Sequence, residues 1–204
     1  MTRVLVLTKT PVAGRVKTRL CPPWTYEQAA AVANAALTDT LEAVGKGVLV
    51  VDGSLPAPAG WERIVQRGDR LPARLSNAFT DAGCEPAVLI GMDTPQVTSD
   101  LLADAADHLR TADAVLGVAE DGGWWALGLL NPAHAEVLRH IPTSRPDTGA
   151  RTLQALQHLG LRVRLLPTLR DVDTATDARA VAALCQDSSE FRRVVAALDA
   201  VVPA

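Results

Sequence analysis

Short, uninterrupted apolar runs alternate along this chain with longer segments whose apolar residues recur every three or four positions. Val4–Leu7, Val48–Val51 and Ala87–Ile90 are apolar runs, and such runs are typical of strands buried on both faces of a sheet. The segment from Thr25 to Gly45 is of the second kind, because Thr25 opens a capping-box pattern and Gly45 is placed to end a helix. This alternation predicts an α/β fold with a mostly parallel, Rossmann-type sheet and helices on both faces.

The remaining pattern extends the same architecture over the whole chain. Trp124–Leu130 follows the apolar run Ala114–Val118 across a tight turn with no helix between them, which predicts an antiparallel member in the sheet. At 204 residues the chain fits one domain of roughly 100–200 residues, so we predict a single domain over residues 1–204. Further strands are predicted over 61–66 and 163–166, and helices over 71–82, from Thr98 or Ser99 onward, and over 147–159, 174–184 and 189–200.

Composition excludes several classes of protein. The net charge of -3 gives no reason to expect a nucleic-acid partner. No stretch approaches 18 apolar residues, and the first apolar run is too short for a signal peptide, so we expect neither a membrane span nor a secreted protein. Cys21, Cys84 and Cys185 lie far apart without a CxxC pair, which favours reduced thiols in a cytoplasmic protein. The oligomeric state stays open.

Aromatic residues are scarce, at 3% of the chain, yet two of the four tryptophans are adjacent. Trp124 and Trp125 follow Asp121-Gly122-Gly123, where two glycines permit a left-handed turn or close approach of a ligand. The pair fits either a hairpin turn followed by core tryptophans or a site in which one ring faces a ligand. We expect one ring in the core and the other toward a cleft, because neighbouring residues in a strand point to opposite faces.

A loop rich in cations follows the first predicted strand. Residues 9–20, called the basic loop below, contain Lys9, Arg15, Lys17 and Arg19, with Gly14 among them. In an open α/β sheet ligands bind beyond the carboxyl ends of the strands, so these cations are candidates to bind phosphates. The alternative is a solvated basic loop, and the spacing does not match the GxxxxGK[ST] pattern of a P-loop.

Carboxylates follow two later strands. Asp93 lies three residues after the strand Ala87–Ile90, where it could hold a divalent cation or make a turn or helix cap. Asp171 and Asp173 come after the last strand, where capping of the next helix by Asp173 and Thr174 is the alternative to a ligand role. Because the two carboxylates are two residues apart, we expect them to point to opposite faces of an extended chain, with only one facing a given ligand.

Four motifs together resemble a known bacterial family. They are Lys9-Thr10-Pro11-x-x-Gly14-Arg15-Val16-Lys17-Thr18-Arg19-Leu20, Gly91-x-Asp93-x-Pro95, Asp121-Gly122-Gly123-Trp124-Trp125-x-x-Gly128-Leu129 and Asp171-Val172-Asp173-Thr174-x-x-Asp177. Their order and types are similar to those of glycosyltransferase-like proteins of the nucleotide-diphospho-sugar transferase superfamily, of the selenodomain-associated transferase 1 type. The layout also resembles molybdenum-cofactor and phospholactate guanylyltransferases. Relatives often have a Tyr pair in place of Trp124-Trp125, and a Trp in the segment where this chain has Pro142-Thr143-Ser144.

The resemblance implies a type-A glycosyltransferase-like fold and a role for each motif. By similarity, nucleotide binding falls to the first motif, metal binding to the aspartates of the second and fourth, and acceptor binding to the third. The implied nucleotide-binding residues are Thr8, Lys9, Gly14, Arg15, Lys17 and Arg19. The implied Mg²⁺ or Mn²⁺ ligands are Asp93, Asp171 and Asp173, the catalytic residues Asp93, Lys17 and Asp121, and the acceptor-binding residues Gly122, Gly123, Trp124 and Trp125.

Three functions are compatible with these assignments. The resemblance favours a metal-dependent transferase that moves a glycosyl group from a nucleotide-sugar to a small-molecule acceptor. The four cations of the basic loop also suit a triphosphate, so the alternative is a nucleotidyltransferase that releases pyrophosphate. A nucleotide-binding protein without catalysis is the third hypothesis, and it predicts binding that is insensitive to Mg²⁺ and to Asp93→Ala.

Overall fold

The computed structural model describes residues 2–200, which form a seven-stranded sheet flanked by helices. The strands are β1 Arg3–Lys9, β2 Val48–Asp52, β3 Glu62–Val65, β4 Ala87–Ile90, β5 Ala114–Val118, β6 Trp124–Leu129 and β7 Val163–Leu165. The α-helices are α1 Tyr26–Val44, α2 Leu71–Asp81, α3 Ser99–His108, α4 Thr148–His158, α5 Ala175–Ala182 and α6 Glu190–Asp199. Two 3₁₀ helices cover Thr18–Leu20 and Pro132–His140.

The strand order across the sheet is β3-β2-β1-β4-β6-β5-β7. From β1 the chain first builds toward β2 and β3, and then crosses back to add β4 and the remaining strands on the other side of β1. Only β6 runs antiparallel to its neighbours, β4 and β5, among the strand pairs within residues 2–200. The predicted class and the predicted antiparallel member are both confirmed.

Apolar side chains on each face of the sheet bury a separate layer of helices. Leu5 faces the cluster formed with α2, α4 and the 3₁₀ helix Pro132–His140, whereas its neighbour Val6 faces the cluster formed with α1 and α3. This is the alternation that a pleated strand imposes. A third cluster packs α5 and α6 against α1 and includes the buried rings of Trp24 and Phe191.

Local sequence signals set most of the element boundaries. Thr25 and Gln28 form the predicted capping box, and α1 ends at Val44 before Gly45, which has a φ of 68°. Thr98 rather than Ser99 caps α3. The strands Ala87–Ile90 and Ala114–Val118 have the predicted bounds, and the other predicted elements differ from the structure by a few terminal residues. The two 3₁₀ helices were not predicted.

The single domain over residues 1–204 stays a prediction, and residues 1 and 201–204 lie outside the part of the chain that the structure describes. Within residues 2–200, none of the helices combines the length and the apolar character needed to cross a bilayer.

Candidate functional site

The candidate site lies at one edge of the sheet, where the carboxyl ends of β1, β4, β5 and β7 meet. Because β6 is antiparallel, its first residue, Trp124, lies at the same edge. The order of the strands reverses direction between β1 and β4, and ligands of open α/β sheets bind at such a switch point. The basic loop leaves β1 and Asp93 follows β4, so both lie beside it.

Three carboxylates converge at this edge. One oxygen from each of Asp121, Asp171 and Asp173 lies within 4.8 Å of the others, and we call these residues the acidic cluster. The prediction that Asp171 and Asp173 point to opposite faces was wrong, because residues i and i+2 of an extended chain share a face. Asp121 was predicted as a catalytic residue and not as a metal ligand. Its proximity to the other two depends on the turn between β5 and β6.

The acidic cluster holds its negative charges at an electrostatic cost. Partial burial raises the pKa of Asp171 to about 6 from an ordinary 3.8, and the charges of Asp121 and Asp173 add to that rise. A backbone hydrogen bond and the ammonium of Lys17 act in the opposite direction. A bound cation would relieve this repulsion, since it would favour the ionised form of each carboxylate.

Lys17 connects Asp93 with the acidic cluster. Its Nζ lies 2.7 Å from Asp93 Oδ1 and 3.8 Å from Asp173 Oδ1, and it donates a hydrogen bond to the carbonyl of Val172. The side chain is only 11% exposed, and the backbone is left-handed with a φ of 48°. Asp93, a predicted metal ligand, therefore pairs with Lys17 and lies outside the three-carboxylate group.

The other cations of the basic loop divide into two groups. Arg19 donates to Asp173 Oδ2 at 3.0 Å, so it also faces the acidic cluster. Lys9, Arg15 and Gly14 are exposed, and the left-handed Gly14 has open space around the position of a Cβ. The structure brings Lys17 and Arg19 together at the carboxylates and leaves Lys9 and Arg15 facing solvent.

Thr8 is buried beneath the edge. The residue is only 2% exposed. Its hydroxyl donates to Met92 Sδ at 2.9 Å and to the carbonyl of Lys9 at 3.1 Å. The Thr8 carbonyl accepts a hydrogen bond from Gln66 Nε2. The side chain is thus committed to the interior, and its role in nucleotide binding stays a prediction.

The two adjacent tryptophans lie on opposite faces of β6, as expected. Trp125 is 3% exposed and its Nε1 donates to the carbonyl of Pro167 at 3.0 Å, whereas Trp124 is half-buried. Both line a cavity of about 120 Å³ at the edge of the sheet. The rest of its lining is Gly91, Asp93, Thr94, Ala119, Asp121, Gly123 and Asp171.

Gly122 and Gly123 hold the turn against the start of α4. Gly122 has a φ of 88°, and a Cβ there would lie 1.9 Å from the carbonyl oxygen of Pro146. Gly149 donates to the Gly122 carbonyl at 2.8 Å, and Gly123 donates to Asp121 Oδ1 at 2.7 Å. The close contact with Pro146 explains why position 122 is a glycine. Gly123, by contrast, also lines the cavity.

The donor set suits a hard divalent cation. Carboxylate oxygens are the protein ligands that Mg²⁺ and Mn²⁺ prefer, and the acidic cluster offers one from each of three residues. Asp93 lines the same cavity as Asp121 and Asp171, and so lies close to any ion held there.

The architecture has well-matched counterparts among solved structures. A crystal structure from Desulfovibrio desulfuricans, described as a nucleotide-diphospho-sugar transferase, matches with a TM-score of 0.87 and 24% identity over 99% of this chain and 97% of that one. Rv0371c from Mycobacterium tuberculosis, solved as a manganese complex, matches with a TM-score of 0.51 and 19% identity over 96% and 99%. A CMP:2-keto-3-deoxy-manno-octonic acid synthetase complexed with CTP matches with a TM-score of 0.53 and 12% identity over 90% and 97%. The fold is that of the nucleotide-diphospho-sugar transferases, as the resemblance implied.

Sequence similarity places the chain more narrowly. It belongs to the bacterial family described as "Uncharacterized protein conserved in bacteria (DUF2064)", which matches residues 27–145, more than half of the chain. A phosphoenolpyruvate guanylyltransferase from Chloroflexus aggregans is 32% identical over 119 residues, which are 56% of this chain and 56% of that protein. The match thus spans about half the length of this relative. The selenodomain-associated type stays a prediction.

Proposed function

We propose that the chain is a divalent-cation-dependent transferase that takes its donor from a nucleotide, and that it transfers a nucleotidyl group. The observation that carries the proposal is the convergence of Asp121, Asp171 and Asp173 within 4.8 Å, beside the cations Lys17 and Arg19. Negative and positive groups are thus both available at the switch point, where a nucleotide's phosphates bind in folds of this class.

Each set of residues has a distinct task in this proposal. The acidic cluster would hold Mg²⁺ or Mn²⁺, which when bound neutralises phosphate charge and stabilises the charge that develops on a leaving pyrophosphate. Lys9 and Arg15, which face solvent, would contact the phosphates on arrival. Lys17 would hold Asp93 and the segment of Val172 in place through its ion pair and its hydrogen bond. Its ammonium lies between the basic loop and the acidic cluster.

The proposed reaction is a displacement at phosphorus. An oxygen of the acceptor's phosphate attacks the α-phosphorus of a nucleoside triphosphate and forms a new P–O bond. The bond from the α-phosphorus to the bridging oxygen breaks, and pyrophosphate leaves with the electron pair. The guanylyltransferase relative supports nucleotidyl transfer, and its name points to GTP and phosphoenolpyruvate as the first donor and acceptor to test.

Glycosyl transfer from a nucleotide-sugar is the second candidate, and Trp124 favours it. Its half-buried ring lines the same cavity as Asp93 and Asp171, and aromatic rings provide an apolar face for a sugar ring. In this alternative the bond between the sugar and the diphosphate breaks, and the nucleoside diphosphate leaves. The two reactions differ in their products, so a single assay distinguishes them.

The decisive experiment measures pyrophosphate. Purified protein is incubated with each nucleoside triphosphate and phosphoenolpyruvate, with Mn²⁺ or Mg²⁺ or with EDTA, and in parallel with nucleotide-sugars and candidate acceptors. We expect acceptor-dependent release of pyrophosphate that requires the cation. Asp173→Asn should lower the rate by more than about tenfold, because it replaces one of three carboxylates with a neutral amide, which binds a divalent cation and pairs with Arg19 less strongly.

Asp177→Asn is the matched control. Asp177 belongs to the capping box of α5 and accepts from Thr174, so its substitution costs helix stability without changing the acidic cluster. Release of a nucleoside diphosphate from a nucleotide-sugar, with no pyrophosphate from any triphosphate, would establish glycosyl transfer instead. If nucleotide affinity is the same with and without the cation and in Asp93→Ala, and no product forms, then the protein binds nucleotides without catalysis.

A further inference from the structure

Two segments that carry like charges are held together by Arg170. The turn Glu120–Gly123 brings Asp121, and the segment that follows β7 brings Asp171 and Asp173. Three carboxylates with oxygens within 4.8 Å of one another repel, and this repulsion opposes the approach of the two segments. Something outside the acidic cluster must therefore fix the separation of the two segments.

The contacts of Arg170 join three segments of the site. Its Nε donates to Glu120 Oε2 at 2.6 Å, next to Asp121 in the chain. Its carbonyl accepts from Gln96 Nε2 at 2.6 Å, which ties the segment to the loop after β4 that also carries Asp93. Two backbone hydrogen bonds join the same segments. The Val172 amide donates to the Asp93 carbonyl at 2.8 Å, and the Glu120 amide donates to the Leu169 carbonyl at 3.0 Å.

We propose that Arg170, through its ion pair with Glu120 and its hydrogen bond from Gln96, is a positioning residue that sets the spacing of the acidic cluster for a divalent cation. The inference rests on the proposed cation site. The guanidinium of Arg170 offers no ligand atom to a cation, and its carbonyl is already bonded to Gln96, so Arg170 acts through the segments that it joins. Outer partners that orient metal ligands typically change metal affinity by about ten- to a hundredfold when they are removed.

The chain contains a control of the same chemistry. Arg162 and Asp113 also join β5 to β7, at the opposite ends of these strands, through bonds of 2.9 and 3.1 Å between guanidinium and carboxylate. If both ion pairs only stabilise the sheet, then removing either one should have the same effect on cation affinity. If the pair of Arg170 and Glu120 positions the acidic cluster, then its removal should weaken cation binding, whereas removal of the pair of Arg162 and Asp113 should not.

The experiment titrates Mn²⁺ into the nucleotide-free protein and follows free Mn²⁺ by electron paramagnetic resonance, with thermal unfolding in EDTA measured alongside. Arg170→Gln should weaken Mn²⁺ binding at least about tenfold, and Arg170→Lys should restore part of that affinity. Arg162→Gln should lower the unfolding temperature and leave the affinity within twofold of wild type. Glu120→Gln provides a second variant of the same pair, should Arg170→Gln fold poorly.

Unchanged Mn²⁺ affinity in both Arg170→Gln and Glu120→Gln would overturn the proposal, and so would equal weakening in Arg162→Gln. Wild-type protein that binds no Mn²⁺ would overturn it together with the proposed cation site. Wild-type protein that binds Mn²⁺ but transfers no group would contradict the proposed function alone, because the ratio of affinities would still test Arg170.

Discussion

At the scale of single residues, Lys17 shows how the site constrains the backbone. A non-glycine residue in a sparsely populated backbone region costs on the order of 1–3 kcal/mol, and Lys17 has a φ of 48° and a ψ of 36°. The side chain is held by Asp93 and by the carbonyl of Val172. The left-handed conformation thus places an ammonium between two carboxylate-bearing segments.

Gly122 gives a prediction at the same scale. Gly122→Ala should destabilise the protein by about 3 kcal/mol, because the new Cβ meets a backbone carbonyl, which cannot rotate away, and φ is 88°. Urea unfolding measures the change. The matched variant Gly14→Ala should cost only about 1 kcal/mol, since Gly14 is also left-handed at 74° but has open space around it. Equal costs at the two positions would show that contact with Pro146 is unimportant.

Single residues also explain which parts of the site the sequence could predict. Asp93, Asp171 and Asp173 were candidates because each follows a predicted strand, and the structure places all three at the sheet edge. The pairing of Lys17 with Asp93 could not be predicted, because it depends on the path of a loop with no regular pattern. Asp121 could have been added as a ligand candidate from its position at a turn between two strands.

At the scale of elements, a buried carboxylate of α1 adds to the apolar packing that holds α6. Asp39 of α1 is 9% exposed, and it accepts from the backbone of Glu190 and Phe191 and from Ser189 Oγ at 2.6–3.0 Å. These donors lie at the start of α6, where a negative charge also interacts favourably with the helix dipole. The pattern of α1 gives no sign of this role, since an aspartate in a helix is usually solvated.

Asp39→Ala should therefore destabilise the protein by about 3 kcal/mol, because it leaves buried donors without a partner. Hydrogen exchange of the amides in Glu190–Asp199 should accelerate more than exchange in the strands. The control is Asp187→Ala, which removes an exposed ion pair with Arg192 and should cost less than about 1 kcal/mol. Uniform acceleration of exchange across the sheet would contradict a local role for Asp39.

Local signals predicted those elements that carry their own caps and periodicity. The capping box at Thr25, the apolar strands and the turn before Trp124 all act over a few residues. The 3₁₀ helix Pro132–His140 was not predicted, although Asn131 caps its start and Pro132 is its first residue. Packing of Ala135 and Leu138 against α2 and the sheet stabilises this segment further, and that contact cannot be read from the local sequence.

At the scale of the whole molecule, β5 and β7 are joined by one ion pair at each of their two ends. Arg170 and Glu120 lie at the end that carries the site, and Arg162 and Asp113 lie at the other. Hydrogen bonds from Arg162 lower the pKa of Asp113 to about 2 from 3.8. The stabilisation from this pair is therefore complete well above pH 3.8 and is lost as the pH falls toward 2.

Comparison of wild type with Asp113→Asn tests this pH dependence. The difference in the free energy of unfolding should be constant from pH 7 to about pH 5, and should shrink between pH 4 and about pH 2. Urea unfolding at several pH values measures it. A difference that persists unchanged at about pH 2 would mean that the pair contributes through packing and not through charge.

The bond between Lys17 and Val172 joins positions 155 residues apart in the sequence. Helices and the β5–β6 hairpin need only neighbouring residues, whereas this contact requires the closure of a loop that spans most of the chain. We therefore expect the site to be assembled late in folding, after the sheet that supports it. Catalytic competence in this protein would thus serve as a kinetic marker for completion of the native state.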